Sequence, residues 1–307
     1  MTGAEKGDGL VGDLAERIAQ SNPTTVKMLD TAIAGLSAAE RSELDAYLAY
    51  LRSAGHGLDF IAESYNTILR DTVREQIFFR RNGRYRHARY DEVAASVYMN
   101  DDYMSRYMVG LAVTTYLWPN HLAIHRFFRQ TLPDAPAGDY LEIGPGHGVF
   151  FMAAARSGRF AKCLGVDLSP TSVAMTRSLL ASGHFGDFQD YEIRQADFLD
   201  ASLPPRAFQA VVMGEVLEHV ERPDLFMARI RELAAPGAFV FVTTAINAPT
   251  IDHIFLFDSP EAVRDLVRQA GFEIVAEAVL PYVGMTLDET MAQRLPVNIA
   301  LRLDPRV

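Results

Sequence analysis

The order of apolar and polar positions divides the chain into a helical first part and an alternating second part. Between residues 44 and 73, leucine, isoleucine, tyrosine and valine recur at spacings of three and four, the period of helices that bury one face. From residue 139 onward, short apolar runs alternate with helical segments, which is typical of a mostly parallel sheet. The chain is therefore predicted to be an α/β protein with a mainly helical N-terminal region.

Capping residues set the helix boundaries of the first part. A Ser-Ala-Ala-Glu capping box begins at Ser37, and Gly55 follows the apolar stripe that it opens. Asn82-Gly83 lies between two short runs that look extended, which predicts a β-hairpin near residues 77–87. After a polar, loose N-terminal tail, helices are predicted from about residue 13 and over 37–54, 58–75, 100–116 and 119–131.

Seven apolar runs in the second part predict strands. Between them, helices are expected where prolines or a serine cap precede an amphipathic run. A Pro-rich linker at 133–138 separates the two parts, so the domains are predicted as a helical cap over 1–132 and a sheet domain over 133–307. The predicted strands are 139–143, 163–167, 191–195, 210–213, 238–242, 272–279 and 297–303.

Composition excludes several classes of protein. With 49% hydrophobic and 22% charged residues, the 307-residue chain suits one large or two smaller folded domains. A net charge of −10 disfavours a general nucleic-acid binder, which needs to neutralise phosphates. The single cysteine, Cys163, allows no intrachain disulfide. Neither an apolar leader nor a run of about 18 apolar residues is present, so a cytoplasmic protein is expected.

The segment with the most specific chemistry follows the first predicted strand. Residues 140–148 read Tyr-Leu-Glu-Ile-Gly-Pro-Gly-His-Gly, an apolar strand end followed by glycines at alternate positions. Glycines there allow positive φ and let a ligand approach the backbone. A dinucleotide fingerprint would require a third glycine where Val149 stands, which disfavours a nicotinamide cofactor. The pattern E-x-G-x-G-x-G resembles motif I of class I S-adenosylmethionine (SAM)-dependent methyltransferases.

Three later segments extend this resemblance in the same order. They are the acid that ends the second strand, the Asp-Phe pair after the third, and Gly-Glu-Val-Leu-Glu-His after the fourth, which is similar to small-molecule methyltransferases of the ubiquinone-biosynthesis type. The resemblance implies a Rossmann-like sheet of seven strands, with the last antiparallel and placed between strands five and six. It implies SAM as cofactor, held by Glu142, Gly144, Gly146, Gly148, Asp167, Leu168, Asp197, Phe198, Gly214, Glu215 and His219.

Methyl transfer from a sulfonium places few demands on catalytic groups. The leaving group needs no acid, and a base is needed only when the acceptor must lose a proton early. His253, in the loop after the fifth strand, is the leading candidate base, with Asp252 as its orienting partner. His121 of the cap is the second candidate, whereas the resemblance assigns His219 to the cofactor side. No His/Cys spacing typical of a metal site is found.

Side chains with an apolar body and a polar tip are candidates for the acceptor pocket. They lie in the cap, in the loop after strand five and between the last two strands, and they are Tyr103, Tyr107, Tyr116, Trp118, Asn120, Asn247, Tyr282 and Met285.

The sequence therefore predicts a SAM-dependent methyltransferase that acts on an O, N or C atom of a small molecule, in specialised natural-product biosynthesis. A carrier-bound or anionic acceptor, gripped by the arginines of residues 80–89, is an alternative. Three competing functions stay open: a nicotinamide oxidoreductase, an aminopropyl-transfer enzyme and a SAM-binding scaffold without catalysis. No nucleic-acid or membrane partner is expected, and the N-terminal helices are a candidate homodimer surface.

Overall fold

The computed structural model describes residues 9–134 and 138–306. The first eight residues of the predicted tail and part of the predicted linker lie outside the described residues. Within these residues, seven α-helices precede the first strand, besides one 3-10 turn at Pro23–Thr25. They are α1 (Leu10–Ser21), α2 (Val26–Ala34), α3 (Ala38–Ser53), α4 (Leu58–Asn82), α5 (Tyr90–Ala94), α6 (Asp101–Leu117) and α7 (Pro119–Thr131).

Seven strands form a single sheet, as predicted. Its spatial order is β3-β2-β1-β4-β5-β7-β6. Strands β1 to β5 pair in parallel, and β7 runs antiparallel to both of its neighbours, β5 and β6. This confirms the Rossmann-like fold with an antiparallel last strand. The strands are β1 (Asp139–Ile143), β2 (Cys163–Asp167), β3 (Tyr191–Gln195), β4 (Phe208–Gly214), β5 (Ala234–Ile246), β6 (Phe272–Leu280) and β7 (Val297–Pro305).

Short helices connect the strands. These connecting helices are α8 (Val149–Arg156), α9 (Pro170–Ala181), α10 (Pro223–Leu233), α11 (Pro260–Gln269) and α12 (Leu287–Ala292). Helices α9, α10 and α11 begin at a proline in the first turn, where the missing N–H costs nothing.

The predicted hairpin near residues 77–87 is wrong. Helix α4 continues to Asn82, seven residues beyond its predicted end, because Phe79 is buried and prolongs its apolar stripe. Gly83 has φ +70 and caps the helix in the left-handed conformation. The Asn-Gly pair therefore ends a helix here. That role needs the same positive φ as a hairpin turn, so the dipeptide alone did not distinguish them.

Each face of the sheet is covered by its own apolar cluster. Alternate residues of the central strands point to opposite faces, so Tyr140 and Phe241 contribute to one cluster and Leu141 and Val240 to the other. The first cluster continues without a break into helices α1, α3, α4 and α6. The cap therefore packs against the same face as α8 and α9. Helices α10 and α11 cover the opposite face.

Helix α7 anchors the cap to the sheet. The ring centroids of Phe127 and Phe128 lie 5.8 and 5.1 Å from that of Phe241 in β5. Such aromatic contacts contribute roughly 0.5–1.5 kcal/mol each beyond their buried area. Among the described helices, none is long and apolar enough to cross a membrane.

Candidate functional site

The glycine turn leaves β1 at the carboxyl edge of the sheet. Gly144, Gly146 and Gly148 have φ of +66°, +55° and +78°, a region that other residues enter only at a cost. A Cβ at Gly144 would lie 2.8 Å from the Val216 side chain, and one at Gly146 would lie 3.3 Å from the sulfur of Met108. The turn thus requires glycine for its torsions as well as for its close neighbours.

Asp167 ties the end of β2 to this turn. Its carboxylate accepts hydrogen bonds from the backbone N–H of Gly146, at 3.0 Å, and of Ser169, at 2.9 Å. Burial raises its pKa to about 6, against the two N–H donors that lower it. A carboxylate beside a glycine turn is the group that would accept hydrogen bonds from ribose hydroxyls. The next residue, Leu168, is 36% exposed and offers an apolar surface at the same edge.

The two residues of the Asp-Phe pair after β3, Asp197 and Phe198, differ in exposure. Asp197 is exposed and accepts a hydrogen bond from the Leu199 N–H at 2.9 Å, whereas Phe198 is buried against Phe226. Only Asp197 is thus open to a ligand in this structure. Burial and the charge of Asp197 raise the pKa of Tyr90, the first residue of α5.

Glu142, inside β1, is buried. It accepts a hydrogen bond from the Tyr140 hydroxyl, and burial raises its pKa to about 8 in spite of that bond. At the end of β4, Glu215 has φ +51° and donates its N–H to the Thr243 carbonyl at 3.1 Å. Burial and the nearby Glu218 raise the pKa of Glu215 well above its usual value. Of these two predicted cofactor residues, Glu142 is therefore buried and Glu215 is half-buried in this structure.

Two histidines meet beyond β4 and β5. The ring centroids of His219 and His253 are 4.6 Å apart. Nδ1 of His219 lies 3.3 Å from Oδ2 of Asp252, and although burial alone would lower the pKa of His219, Asp252 raises it to about 9. Asp252 thus pairs with His219, and the expectation that it orients His253 is wrong. The loops that follow β4 and β5 place the Asp252 carboxylate beside the ring of His219, not beside that of its chain neighbour His253.

His253 has a different environment from His219. Its Nδ1 lies 2.5 Å from the Ala248 carbonyl oxygen, to which an Nδ1–H donates, and this leaves Nε2 as the acceptor. Burial and the charge of His219 lower the pKa of His253, so its imidazole is neutral near pH 7. Nε2 lies 4.0 Å from Oε1 of Glu218. A neutral imidazole with one free nitrogen is able to take a proton.

Glu218 completes the cluster and was missing from the sequence-based site. It is fully buried; Oε2 accepts from the Thr244 hydroxyl at 2.6 Å, and Oε1 has no hydrogen-bond partner in the described chain. Glu218, His219 and His253 each offer one ligand atom, and these atoms lie within 4.8 Å of one another, close enough to share a cation. The sequence showed no such spacing because His253 comes from another loop.

Two tyrosines of the cap cover this cluster. Tyr107 in α6 donates to Oδ1 of Asp252 at 2.9 Å, and Tyr98, between α5 and α6, donates to Oδ2 at 3.2 Å. The Tyr98 hydroxyl also lies 3.0 Å from Nδ1 of His219. Tyr107 was predicted to line the acceptor pocket, whereas Tyr98 was missed, because no local pattern marks a residue whose partners are more than 100 positions away.

Several predicted pocket residues are engaged elsewhere. Four of them, Tyr103, Tyr116, Trp118 and Asn120, use a polar side-chain group to hydrogen-bond another segment of the chain. The Tyr103 hydroxyl donates to Asp71 at 2.7 Å, that of Tyr116 to Glu43 at 2.9 Å, and the Trp118 indole N–H to the Tyr65 hydroxyl at 3.1 Å. Asn120 donates to the carbonyls of Leu280 and Pro281 at 3.2 and 3.1 Å, and Tyr282 is 47% exposed in the turn that Met285 closes.

His121 and Asn247 lie at the edges of the site. Nδ1 of His121 is 2.9 Å from the Thr114 hydroxyl, and burial lowers its pKa to about 4. Its proximity, after burial itself, lowers the pKa of His147 in the glycine turn. Asn247 directly follows β5, has φ +50° and donates its N–H to the Phe257 carbonyl at 3.0 Å. Neither residue contacts the Asp252 carboxylate.

Comparisons with known proteins agree with the fold. Residues 120–277, just over half of the chain, match the family described as "Methyltransferase domain". The ubiquinone biosynthesis O-methyltransferase of Pseudoalteromonas translucida is 29% identical over 53% of this chain and 75% of its own, and that of Nitrosospira multiformis is 30% identical over 52% and 73%. The SAM complex of Haemonchus contortus phosphoethanolamine N-methyltransferase 2 superposes with a TM-score of 0.52 at 15% identity, over 71% of this chain and 60% of that one.

Proposed function

This chain belongs to the methyltransferase domain family and is a class I SAM-dependent methyltransferase, and from that premise we propose that it methylates an oxygen atom of a small molecule. The observation that carries the proposal is His253, a buried neutral imidazole with a free Nε2 beside Glu218. A hydroxyl, unlike a neutral amine, gains greatly as a nucleophile when a base removes its proton. The two relatives are both named as O-methyltransferases, which supports the same acceptor atom.

The residues fit SAM, which supplies the methyl group of a sulfonium. We propose that the glycine turn and Asp167 hold its amino-acid and ribose parts, with Leu168 and Asp197 toward the adenine. In this arrangement His253 accepts the hydroxyl proton, Glu218 stabilises the imidazolium that forms, and the positive charge of His219 stabilises the developing oxyanion. The chain's own residues thus position and deprotonate the acceptor, and Tyr98 and Tyr107 exclude water above them.

The acceptor itself is proposed to belong to specialised natural-product biosynthesis. The residues that cover the cluster, 90–117, precede the segment matched by the family. The family match therefore extends over the cofactor side of the sheet but not over the tyrosines that cover the acceptor side.

The alternative acceptor, an anionic or carrier-bound one gripped by arginines 80–89, has less support, because Arg86 pairs with buried Glu75 and Arg89 with Asp91.

The test is a transfer assay with methyl-labelled SAM and matched acceptors. Phenols and catechols are compared with the anilines of the same skeleton, and each reaction is run with and without EDTA. We expect label on the hydroxyl compounds and none on the anilines. Label on nitrogen alone would contradict the proposed acceptor atom, and loss of activity with EDTA, restored by a divalent cation, would assign Glu218, His219 and His253 to cation binding instead of proton transfer.

A further inference from the structure

We infer that Asp252 is a positioning residue that couples the docking of the cap to the alignment of His219. This inference deepens the proposed function, on which its kinetic part rests. Asp252 lies in the loop after β5 and is 1% exposed. Its carboxylate accepts hydrogen bonds from Tyr98 and Tyr107 of the cap and also contacts His219 of the sheet domain.

Each carboxylate oxygen has a partner from the cap. Oδ1 accepts from the Tyr107 hydroxyl at 2.9 Å and from the Thr250 hydroxyl at 2.8 Å. Oδ2 accepts from the Tyr98 hydroxyl at 3.2 Å and lies 3.3 Å from Nδ1 of His219. Since a buried carboxylate that loses its donors must be resolvated, removing the cap tyrosines leaves Asp252 in an unfavourable environment. Asp252 and the cap therefore stabilise each other.

His219 depends on the same oxygen. Its Nδ1 contacts Oδ2 of Asp252, the Tyr98 hydroxyl at 3.0 Å and the Asp252 carbonyl at 3.2 Å, and these contacts fix the ring orientation. The ring stands edge-on to His253, at an interplanar angle of 86°. A carboxylate that shifts with the cap would rotate His219 relative to His253. Cap closure over the acceptor and alignment of the histidine pair are thus one event.

The cap also reaches the glycine turn, which connects the coupling to ligand binding there. Tyr98 stacks on Tyr90 of α5, with ring centroids 5.5 Å apart, and Met108 of α6 lies against Gly146. A ligand bound at the glycine turn would therefore contact α6 through Met108, and a movement of α6 would carry Tyr107 with it. Because Asp252 contacts both Tyr107 and His219, such a movement would change the position of the His219 ring.

The chain offers a matched control. Tyr50 in α3 is another buried cap tyrosine, and its hydroxyl donates to the Met175 carbonyl in α9 at 3.1 Å. Tyr50→Phe deletes one hydrogen bond between the cap and the sheet domain, as Tyr107→Phe and Tyr98→Phe do, but far from Asp252. Comparing the three separates loss of a cap contact from loss of the coupling.

The first measurement needs no acceptor. Hydrogen exchange of helix α6 (Asp101–Leu117) in the full chain is compared for the wild type, Asp252→Asn, Tyr107→Phe and Tyr50→Phe. We expect exchange in α6 to become about tenfold faster in Asp252→Asn and in Tyr107→Phe. In Tyr50→Phe it should change by less than about twofold. Equal exchange in Asp252→Asn and the wild type would overturn the coupling, whatever the protein methylates.

The second measurement is a double-mutant cycle in turnover between Tyr107→Phe and His219→Asn. If Tyr107 acts through Asp252 on His219, adding Tyr107→Phe to the His219 variant should lower kcat by less than about twofold, although alone it lowers kcat by about tenfold. Effects that simply multiply would show that Tyr107 acts independently and would reject the inference. Absence of turnover in the wild type on every hydroxyl acceptor would reject the proposed function instead, and the exchange result would still decide the coupling.

Discussion

The proposed cofactor side and the proposed acceptor side of this site are built in opposite ways. The glycine turn and Asp167 lie within about 25 consecutive residues, and their geometry rests on positive φ angles and backbone N–H donors. The cluster around His253 and His219 rests on side chains from separate segments, with Tyr107 and Asp252 145 positions apart. A backbone-built site holds a shared cofactor, whereas a side-chain-built site is free to change with the acceptor. Substitutions on each side test this contrast.

The largest effect is expected at His253. His253→Asn keeps a donor for the Ala248 carbonyl but removes the free Nε2. Turnover should fall by about 10²–10⁴-fold, the usual contribution of a general base, while SAM affinity stays within about twofold. Steady-state kinetics and calorimetry measure the two quantities. Near-normal turnover on the true acceptor would mean that catalysis depends on positioning alone or on His121.

The reverse pattern is expected at Asp167. Asp167→Ala removes a charged acceptor worth about 1.5–3 kcal/mol per hydrogen bond, so SAM affinity should weaken by roughly 10–100-fold. At saturating SAM, kcat should remain within a few-fold of the wild type, because the His253 cluster is untouched. Calorimetric titration with S-adenosylhomocysteine checks the affinity, and Asp167→Asn is the matched variant. Unchanged affinity in both variants would remove Asp167 from the cofactor site.

A smaller effect, on stability, separates torsion from contact in the glycine turn. Gly148 and Gly158 have similar φ, +78° and +65°, but a Cβ at Gly148 would lie 3.0 Å from Leu179, whereas one at Gly158 meets nothing within 4 Å. Alanine at either position should cost about 1–2 kcal/mol for the left-handed conformation. Gly148→Ala should cost roughly another 1–3 kcal/mol through overpacking, which urea unfolding would show. Equal losses would mean that torsion alone explains the turn.

The smallest functional effect is expected at Tyr116. Its hydroxyl donates to buried Glu43, which Arg129 also contacts at 3.0 Å. Tyr116→Phe should lower the free energy of unfolding by about 1 kcal/mol and leave kcat within about twofold. A tenfold loss of turnover without loss of stability would show that Tyr116 lines the acceptor pocket, as its sequence context had indicated.

Local patterns predicted most elements of the fold. Period and capping residues located α3, α7 and all seven strands to within a few residues, because those features act over one or two turns. The error at Asn82-Gly83 arose where one dipeptide serves two structures that need the same positive φ. The resemblance through motif I, which the family match confirms, supplied the strand order and the cofactor, since neither follows from periodicity alone.

The sequence by itself therefore determined the class of protein, its sheet and its cofactor. Those properties depend on residues that are neighbours along the chain, such as Gly144 to Gly148, whose torsions need no distant partner. Only the tertiary structure decided that Asp252 pairs with His219, that Glu218 faces His253, and that Tyr98 covers them while Tyr116 does not. Such pairings depend on how the cap packs on the sheet, and hydrogen bonds between residues more than 100 positions apart leave no local pattern in the sequence.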